Sequence, residues 1–369
     1  MDGKRYLIVT ASVGSGHEKA AAAVAEGIRR QCPSAEINMV DFMSINTSWI
    51  NAFMKGCYLN MLHFVPNLYE FMYQFTAGKK KGGFVKWAMS SVIVHSMKVL
   101  LGKYKPDIIV CTHPFPADAV SHLSERRRRE FVSCAIITDY SVHQMWVCPN
   151  LDQYFVAIDS MKEQLVEAGI REDIIHVTGI PVGSVFGTAL AKEECRRELG
   201  LKNDLPVVMM MGGGLGLGGM DVAMNQLERI REKIQLLVIA GKNSELKRNV
   251  EALGAESHHE VLVYGYTDRV ATLMAASDIL ITKPGALTLT EAMSLGLPMV
   301  LHEPIPGPET DNARFMDQGG MAVWLHSGDS LSKIVGNLLE HPEKLARMRE
   351  NAVKFRRTDA AEQIARYMV

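Results

Sequence analysis

The sequence predicts an α/β protein built from two doubly wound domains. Short runs that are hydrophobic at every position alternate with helical patterns along the whole chain, and such runs are typical of parallel strands covered by helices on both faces. The chain has 369 residues, which exceeds what one hydrophobic core usually accommodates, so two domains of about 150–200 residues are expected. With 47% hydrophobic and 22% charged residues, the composition is globular, which excludes disorder across the chain.

Strands are predicted at twelve of these runs, in two series. They are residues 6–10, 36–40, 108–112, 133–138, 154–158, 174–178, 207–211, 235–240, 261–264, 279–282, 299–302 and 322–325. Pro181, Gly183 and Gly187 interrupt the periodicity between the two series, which places the domain boundary near residue 185. We predict domains of residues 1–184 and 185–345 facing one cleft, with C-terminal helices in residues 346–369 that return to the first domain.

Charge and cysteine content disfavour several classes of protein. The formal net charge is −1, from 40 basic and 41 acidic side chains, which disfavours a nucleic-acid-binding protein held by a global basic field. The six cysteines contain no C-x-x-C pair, so we predict buried thiols in a reducing compartment rather than a zinc cage or redox dithiol. The N-terminal run has the pattern of a strand rather than of a secretion signal, and no apolar run reaches the about 18 residues of a spanning helix.

The turn after the first predicted strand contains Gly14, Gly16 and His17, ahead of a helical pattern. Glycines in such a turn let the backbone approach a ligand and aim free N–H groups at an anion or hydroxyl. A tight turn without a ligand is the alternative. The spacing fits neither the P-loop nor the dinucleotide motif G-x-G-x-x-G. The helix dipole disfavours protonation of His17, so we expect a neutral imidazole.

A second polar cluster, which follows the predicted strand at 133–138, contains Asp139, His143 and Trp146. Because the carboxyl ends of strands in an open parallel sheet face the ligand crevice, Asp139 and His143 are candidates to act on a substrate. The alternative for Asp139 is a helix cap. His113 follows a neighbouring predicted strand and is a further candidate for this site.

Two segments of the second half carry glycines and carboxylates after strands. Residues 212–219 hold six glycines in eight positions, which predicts either a cradle for a diphosphate or a flexible lid. Lys283 and Gly285 precede a helix that is predicted to begin at Ala286 or Leu287 and to carry Thr288 and Glu291 in its first turns. Free amides at that helix start suit a phosphate, and a carboxylate suits the hydroxyls of a ribose.

Another helix start is predicted after the next strand, around Glu309, Asp311 and Asn312. These side chains are rich in the hydrogen-bond acceptors that the hydroxyls of a sugar require. Either carboxylate alone is more typical of a cap, so the prediction rests on the combination with the preceding segment.

In order and spacing, these segments resemble the monogalactosyldiacylglycerol synthases and processive diacylglycerol glucosyltransferases, which belong to glycosyltransferase family 28 and have the GT-B fold. The resemblance covers nearly the whole chain and is carried by VTASVGSGHEKAA, the TD…H..W cluster, VTGIPV, GGGLGLGG, GYTDRVATLMAASD and KPGALTLTEAMSLGLP. It implies two Rossmann-like domains, the first for the acceptor and the membrane, the second for the nucleotide-sugar.

The resemblance also implies roles for individual residues. The uracil is expected at Tyr264 and Tyr266, the ribose at Glu291, and the hexose at Glu309 and Asn312. The diphosphate is expected at Lys283, Gly285, Ala286, Leu287 and Thr288, with Gly213 and Gly214. Acceptor contacts are expected from Gly14, Gly16, His143 and Trp146, and catalysis from Asp139 and His17.

The implied reaction is an inverting transfer of a hexose from UDP-glucose or UDP-galactose to the hydroxyl of diacylglycerol or a glycolipid. A base must take the hydroxyl proton, and the charge of the UDP leaving group must be stabilised. Asp139 and His17 are the candidate bases, with Asp139 preferred. The sequence contains no D-x-D triplet, so neither a metal nor a cofactor is expected.

A basic and aromatic segment suggests an anionic membrane surface as a partner. Residues 55–105 carry a net charge of +7, including Lys79, Lys80 and Lys81, while the rest of the chain carries −8. Aromatic residues from Trp49 to Phe75 precede these lysines, and an apolar stripe follows in residues 85–104. Lysines with inserted aromatics are typical of reversible membrane binding, although such a stripe also fits packing on a sheet. We expect a cytoplasmic protein at the inner face of the cell membrane.

Three other functions fit parts of the pattern. A polyprenyl-lipid N-acetylglucosaminyltransferase of peptidoglycan synthesis shares the KPGALT…E type of segment. A nucleotide-sugar 2-epimerase could use the same two-domain cleft without a lipid, and a non-catalytic sensor would bind UDP-sugar without forming UDP. The TD…H..W cluster and the aromatic, basic segment favour the diacylglycerol branch.

Overall fold

A computed structural model describes residues 3–11, 15–42, 83–126, 130–212, 219–302 and 304–369. The chain forms two compact units. The first contains Met1–Gly183, Pro306–Pro308 and Asp359–Val369, and the second contains Ser184–Ile305 and Glu309–Thr358. The main division falls between Gly183 and Ser184, beside the boundary predicted near residue 185. Of the predicted C-terminal segment 346–369, residues 346–358 belong to the second unit and residues 359–369 to the first.

Within the described residues, each unit contains a sheet of six strands, and every neighbouring pair is parallel. The strands of the first unit are β1 (Arg5–Thr10), β2 (Glu36–Asp41), β3 (Ile108–Cys111), β4 (Val132–Ile136), β5 (Gln153–Val156) and β6 (Ile175–Val177). Those of the second are β7 (Val207–Met211), β8 (Gln235–Ile239), β9 (Glu260–Tyr264), β10 (Ile279–Thr282), β11 (Met299–Leu301) and β12 (Ala322–Trp324). All twelve predicted strands are confirmed.

Helices connect the strands, as parallel pairing requires. They are α1 (Ser15–Gln31), α2 (Gly83–Tyr104), α3 (Pro114–Arg126), α4 (Asp159–Glu167), α5 (Lys192–Leu199), α6 (Met220–Leu227), α7 (Ser244–Glu256), α8 (Val270–Ala276), α9 (Ala286–Ser294), α10 (Pro308–Gln318), α11 (Leu331–Glu340), α12 (Pro342–Phe355) and α13 (Ala360–Met368). The predicted two-domain, doubly wound α/β fold is therefore confirmed.

Strand order creates a switch point in each sheet. The first sheet has the order β2-β1-β3-β4-β5-β6, so the chain leaves β1 on one side and returns as β3 on the other. The second has the order β12-β11-β10-β7-β8-β9, so the same reversal lies between β7 and β10. Open α/β sheets bind ligands at the carboxyl ends of the strands beside such a point. The fold therefore marks the turns after β1, β3, β7 and β10.

The C-terminal helix α13 completes the core of the first unit. Ile364 and Met368 pack with Tyr6 and Ile28 in one buried cluster. The hydroxyl of Tyr6 donates to the carbonyl oxygen of Met368 at 3.2 Å. Gly27 permits this packing, because a Cβ atom there would lie 2.6 Å from the carbonyl oxygen of Ala361.

The described part of the apolar stripe on α2 is buried, apart from Tyr104, which is half-buried. Met97, Leu100 and Leu101 are buried, while Val99 is exposed, and α2 packs against α3. This half of the stripe therefore faces the core. Lys79, Lys80, Lys81 and the preceding aromatic segment lie outside the described residues. Among the described helices, none combines the length and the hydrophobicity that crossing a membrane would take.

Candidate functional site

His17 lies at the carboxyl edge of the first sheet, in the first turn of α1. Its Nδ1 atom is 2.8 Å from the carbonyl oxygen of Thr112, which follows β3, and 2.9 Å from Oγ1 of Thr138, which follows β4. The Thr112 hydroxyl donates back to the carbonyl oxygen of His17 at 3.2 Å. Turns after three neighbouring strands thus fix one imidazole at the predicted edge.

These contacts determine where the neutral His17 ring carries its proton. A carbonyl oxygen only accepts hydrogen bonds, so Nδ1 must be the protonated atom that donates to Thr112. The lone pair of the neutral ring then lies on Nε2. Burial lowers the pKa of His17, and the hydrogen bond to Thr112 offsets part of this effect. The expected neutral imidazole thus has burial as its main cause, and its Nε2 can accept a proton.

His113 packs directly against His17, with the ring centroids 4.8 Å apart and the rings close to perpendicular. Its Nδ1 accepts a hydrogen bond of 3.2 Å from the backbone nitrogen of Phe115. Burial, together with the neighbouring His17, holds the pKa of His113 well below its usual value. The structure thus brings together two imidazoles whose pKa values are both lowered, a contact between His113 and His17 that the sequence analysis did not predict.

The loop after β4 contains the other predicted residues of this unit. Asp139 is half-buried and directly follows Thr138. Nδ1 of His143 accepts from the backbone nitrogen of Met145 at 3.3 Å, and Trp146 is buried. The hydroxyl of Tyr154 donates to the carbonyl oxygens of Trp146 and Cys148. His143 and Trp146 therefore help to fix this loop.

At the carboxyl edge of the second sheet, β10 leads through Lys283 and Pro284 into α9. The helix begins at Ala286, and its N-cap Gly285 has no side chain to cap the first amides. The first helical bond from this start runs from the amide of Leu289 to the carbonyl oxygen of Gly285. The amides of Ala286, Leu287 and Thr288 come before that bond and form a site suited to a phosphate.

Close packing makes this helix start rigid. The hydroxyl of Thr282 donates at 2.9 Å to the carbonyl oxygen of Met211, which joins the ends of β10 and β7. Glu291 is only 2% exposed, so its carboxylate is fixed one turn and a half into α9. A carboxylate in this place can accept hydrogen bonds from two hydroxyls of one ligand.

Glu309 and Asn312, the predicted hexose contacts, form hydrogen bonds with the loop that leads into α9. Glu309 accepts from the ammonium group of Lys283 at 2.6 Å and from the backbone nitrogen of Ile305 at 2.9 Å. Asn312 is fully buried, and its amide donates to the carbonyl oxygen of Pro284 at 3.3 Å. Both side chains hold the segment that leads into α9. The Lys283–Glu309 pair is neutral as a whole, so the positive end of α9 remains the feature that attracts an anion.

Tyr264 ends β9, two strands from β7 at the same edge of the sheet. Tyr266 is 64% exposed, with the Lys242 ammonium 5.2 Å from its ring centroid. Gly16 lies half-buried in the first turn of α1. The predicted residues Gly14, Gly213 and Gly214 lie outside the described residues.

Thr112 and Thr138 were missed as site residues. Each is the last residue of a predicted strand, and in the structure Thr112 follows β3 and Thr138 follows β4. Both contact His17. Their position at strand ends was a usable signal. Their specific contacts depend on the position of α1, which the spacing of motifs does not define.

Comparisons with known proteins show which family the chain resembles. The sequence model of the monogalactosyldiacylglycerol (MGDG) synthase family matches residues 17–182, and that of the glycosyl transferases group 1 matches residues 191–355. A processive diacylglycerol beta-glucosyltransferase from Staphylococcus epidermidis is 30% identical over 349 residues, which cover 93% of this chain and 86% of that protein.

Solved structures show the same fold. Acinetobacter baumannii MurG is similar with a TM-score of 0.67 and 14% identity, covering 99% of both chains. Anabaena HepE in complex with UDP is similar with a TM-score of 0.58 and 16% identity, also covering 99% of both chains. At these identities the likeness shows the GT-B fold alone. By the match to the family model and by the relative that is 30% identical along almost the full length, this chain belongs to the family of diacylglycerol glycosyltransferases that includes the monogalactosyldiacylglycerol synthases and processive diacylglycerol beta-glucosyltransferases.

Proposed function

We propose that this protein transfers a hexose from a UDP-sugar to the hydroxyl of diacylglycerol, with UDP-glucose as the first donor to test. The observation that carries the proposal is the hydrogen bond from Nδ1 of His17 to the carbonyl oxygen of Thr112. It leaves a lone pair on Nε2, and the pKa lowered by burial keeps the ring unprotonated near neutral pH, so Nε2 can take a proton from a substrate hydroxyl. Membership in the diacylglycerol glycosyltransferase family supports the choice of substrates.

The second unit would bind the donor. The amides of Ala286, Leu287 and Thr288 would hold the diphosphate, and Glu291 would accept the hydroxyls of the ribose. As UDP leaves, the added negative charge meets the positive end of α9. Because the sequence contains no D-x-D triplet, the proposal assigns this stabilisation to the protein and requires no metal. We place the uracil near Tyr264 and Tyr266.

The first unit would activate the acceptor. The lipid hydroxyl gives its proton to Nε2 of His17 while its oxygen forms a bond to the anomeric carbon. The bond between that carbon and the diphosphate oxygen breaks as UDP leaves from the opposite side. The product is a β-glycoside when the donor is an α-linked UDP-hexose. Asp139 is the second candidate base, because it directly follows Thr138, which contacts His17.

We further propose that the protein binds anionic membranes from one side. Support comes from the net charge of +7 in residues 55–105, with the rest of the chain at −8. Replacing Lys79, Lys80 and Lys81 by glutamine should lower binding to vesicles that contain anionic lipid, most strongly at low salt. Sedimentation with vesicles measures this effect, and replacement of Arg356 and Arg357 is the control. Equal sedimentation of the lysine variant and the wild type would contradict the proposal.

The decisive experiment combines the protein with UDP-glucose or UDP-galactose and diacylglycerol, followed by mass analysis of the lipids. Formation of a hexosyl diacylglycerol with equal release of UDP supports the proposal. Incubation with a polyprenyl-lipid acceptor and UDP-N-acetylglucosamine tests the alternative of a peptidoglycan transferase. The likeness of this chain to MurG shows the GT-B fold alone. Conversion of a UDP-sugar to its epimer without lipid product would identify the epimerase instead, and binding without turnover would identify a sensor.

A further inference from the structure

Three side chains with metal-binding atoms meet at the amino edge of the second sheet. Glu228 directly follows α6, while His258 and His259 directly precede β9. One potential ligand atom from each residue lies within 4.8 Å of those of the other two. This cluster is at the opposite edge of the sheet from α9, so the proposed transfer reaction does not use it.

Each histidine presents the same ring nitrogen to a backbone carbonyl. Nε2 of His258 is 3.0 Å from the carbonyl oxygen of Ile230, and Nε2 of His259 is 3.1 Å from that of Leu227. Because carbonyl oxygens only accept, both Nε2 atoms carry protons, and the lone pair of each neutral ring lies on Nδ1. Histidines that bind metals typically donate their other N–H group to a carbonyl or carboxylate in this way.

The carboxylate of Glu228 is held in the same manner. The hydroxyl of Ser257 donates to its Oε1 atom and accepts from the backbone nitrogen of His259 at 3.0 Å. The carboxylate of Glu228 therefore has a fixed orientation, and each of the three candidate ligands has its own supporting hydrogen bond.

The atoms of His258 and Glu228 that face each other need a positive charge between them. Nδ1 of His258 and Oε2 of Glu228 are 2.9 Å apart, and both carry lone pairs when the ring is neutral. Either a proton or a metal ion must bridge them. Nδ1 of His259 accepts from the backbone nitrogen of Ile234 at 3.4 Å, which is long for a hydrogen bond. A metal ion bound at this nitrogen would take the place of that long hydrogen bond.

We propose that Glu228, His258 and His259 bind a divalent transition-metal ion of the Zn²⁺ class. Two imidazoles and one carboxylate suit Zn²⁺, whereas Mg²⁺ and Ca²⁺ prefer oxygen ligands alone. A water molecule would complete a tetrahedral shell. The ion would join the end of α6 to the start of β9 and would be structural. This site is independent of the proposed glycosyl transfer, for which no metal is expected.

Equilibrium dialysis of chelator-treated protein against Zn²⁺ tests the proposal. The wild type should take up one ion per chain, and His258→Ala and Glu228→Gln should weaken its binding by about tenfold or more. His122→Ala is the matched control, because His122 also lies beside a carboxylate, Asp118, at 3.5 Å. Co²⁺ should give the visible spectrum of a site with nitrogen and oxygen ligands, without the charge-transfer band that a cysteine thiolate produces.

A second measurement separates a metal site from a simple ion pair. Zn²⁺ should raise the melting temperature of the wild type and of His122→Ala, but not that of His258→Ala or Glu228→Gln, while Mg²⁺ should change none of them. If the wild type retains no more Zn²⁺ than His258→Ala, and its melting temperature does not respond to the ion, the proposal is wrong. The contact of 2.9 Å is then only a hydrogen bond between His258 and Glu228.

Discussion

The two sheets reverse their strand order in the same way, but the turns at their switch points carry different chemistry. Beside β1 and β3, the turns present the imidazoles of His17 and His113, both with lowered pKa values. Beside β7 and β10, they present the glycine-capped start of α9. Strand order fixes where a site forms, and the residues of the turns decide whether it moves protons or binds anions.

The opposite, amino edges of the same strands are alike. Asp107 precedes β3 and accepts from the backbone nitrogen of Arg5 in β1 at 2.8 Å. Asp278 precedes β10 and accepts a hydrogen bond of 2.7 Å from the backbone nitrogen of Val207 in β7. Each aspartate also pairs with an arginine, Arg5 or Arg196. In both sheets, an aspartate that is paired with an arginine therefore links the amino ends of the two central strands, and we call this arrangement a carboxylate clamp. The candidate site lies at the opposite, carboxyl edge.

The largest effect is expected from removing the base in the first unit. His17→Asn keeps an N–H group that can donate to the carbonyl oxygen of Thr112, but it removes Nε2. The rate of transfer to diacylglycerol should fall by about 10²–10⁴, the usual contribution of general-base catalysis. Turnover with UDP-glucose, measured as glycolipid formed, checks this prediction.

Two controls make this result specific. UDP affinity of His17→Asn, measured by calorimetry, should equal that of the wild type, because the donor residues lie in the second unit. Asp139→Asn tests the other candidate base. If Asp139→Asn abolishes transfer and His17→Asn retains most of it, the base is Asp139 and the assignment from the His17 tautomer is wrong.

The two carboxylate clamps should differ in their contribution to stability. Arg196 and Asp278 have side chains only 7% and 20% exposed, whereas those of Arg5 and Asp107 are 41% and 45% exposed. Asp278→Asn leaves the guanidinium of Arg196 buried without its anion, so the free energy of unfolding should fall by about 3 kcal/mol. Asp107→Asn should cost much less, since water screens the exposed pair.

Hydrogen exchange resolved by segment measures both effects in one chain. Asp278→Asn should speed exchange in β7 and β10, while β1 and β3 keep their protection and serve as the internal control. Equal losses in the two variants would show that the clamps are equivalent and that burial does not set their strength.

The fold follows closely from local sequence. Strands such as β7 and β10 are apolar at every position and lie between helices, and their predicted limits match those observed. The start of α9 was also predictable, because Lys283, Pro284 and Gly285 end the strand pattern. Both depend on residues that are neighbours in the chain.

The contacts within the site were less predictable because they join distant residues. The sequence marked His17 and Asp139 but gave no reason to prefer one tautomer, which depends on Thr112, 95 residues away. It placed Glu309 and Asn312 among the sugar contacts, which stays a prediction, but it did not indicate that these side chains also bind Lys283 and the carbonyl oxygen of Pro284. Which polar groups serve the fold depends on packing that motif spacing does not contain.

A smaller effect is expected at the donor carboxylate. Glu291→Gln keeps the size of a side chain that is 2% exposed but removes the charge that would accept the ribose hydroxyls. UDP affinity should fall by about tenfold, the value of one charge-assisted hydrogen bond. Calorimetry with UDP measures the loss, and an unchanged melting temperature confirms that the fold is intact. Equal UDP affinity in Glu291→Gln and the wild type would show that Glu291 does not bind the ribose.

The smallest effect concerns acid stability of the first unit. Histidine in the unfolded chain has a pKa near 6.5, whereas burial lowers the pKa of both His17 and His113. Below about pH 6.5 the unfolded chain therefore binds more protons than the folded one. As the pH is lowered, the free energy of unfolding decreases by at most about 1.4 kcal/mol per pH unit for each histidine. His113→Asn keeps an acceptor for the amide of Phe115 and should reduce this slope.

Hydrogen exchange between pH 7 and 5.5, corrected for the intrinsic rate at each pH, isolates the contribution of His113. The wild type should lose more protection in β3 and β4 than His113→Asn does over this range. Exchange in β7 and β10 should respond to pH equally in both proteins, because His113 lies in the other unit. If β3 and β4 lose the same protection with and without the imidazole, His113 is not the group whose protonation opposes folding, and the acid sensitivity of this edge must come from His17.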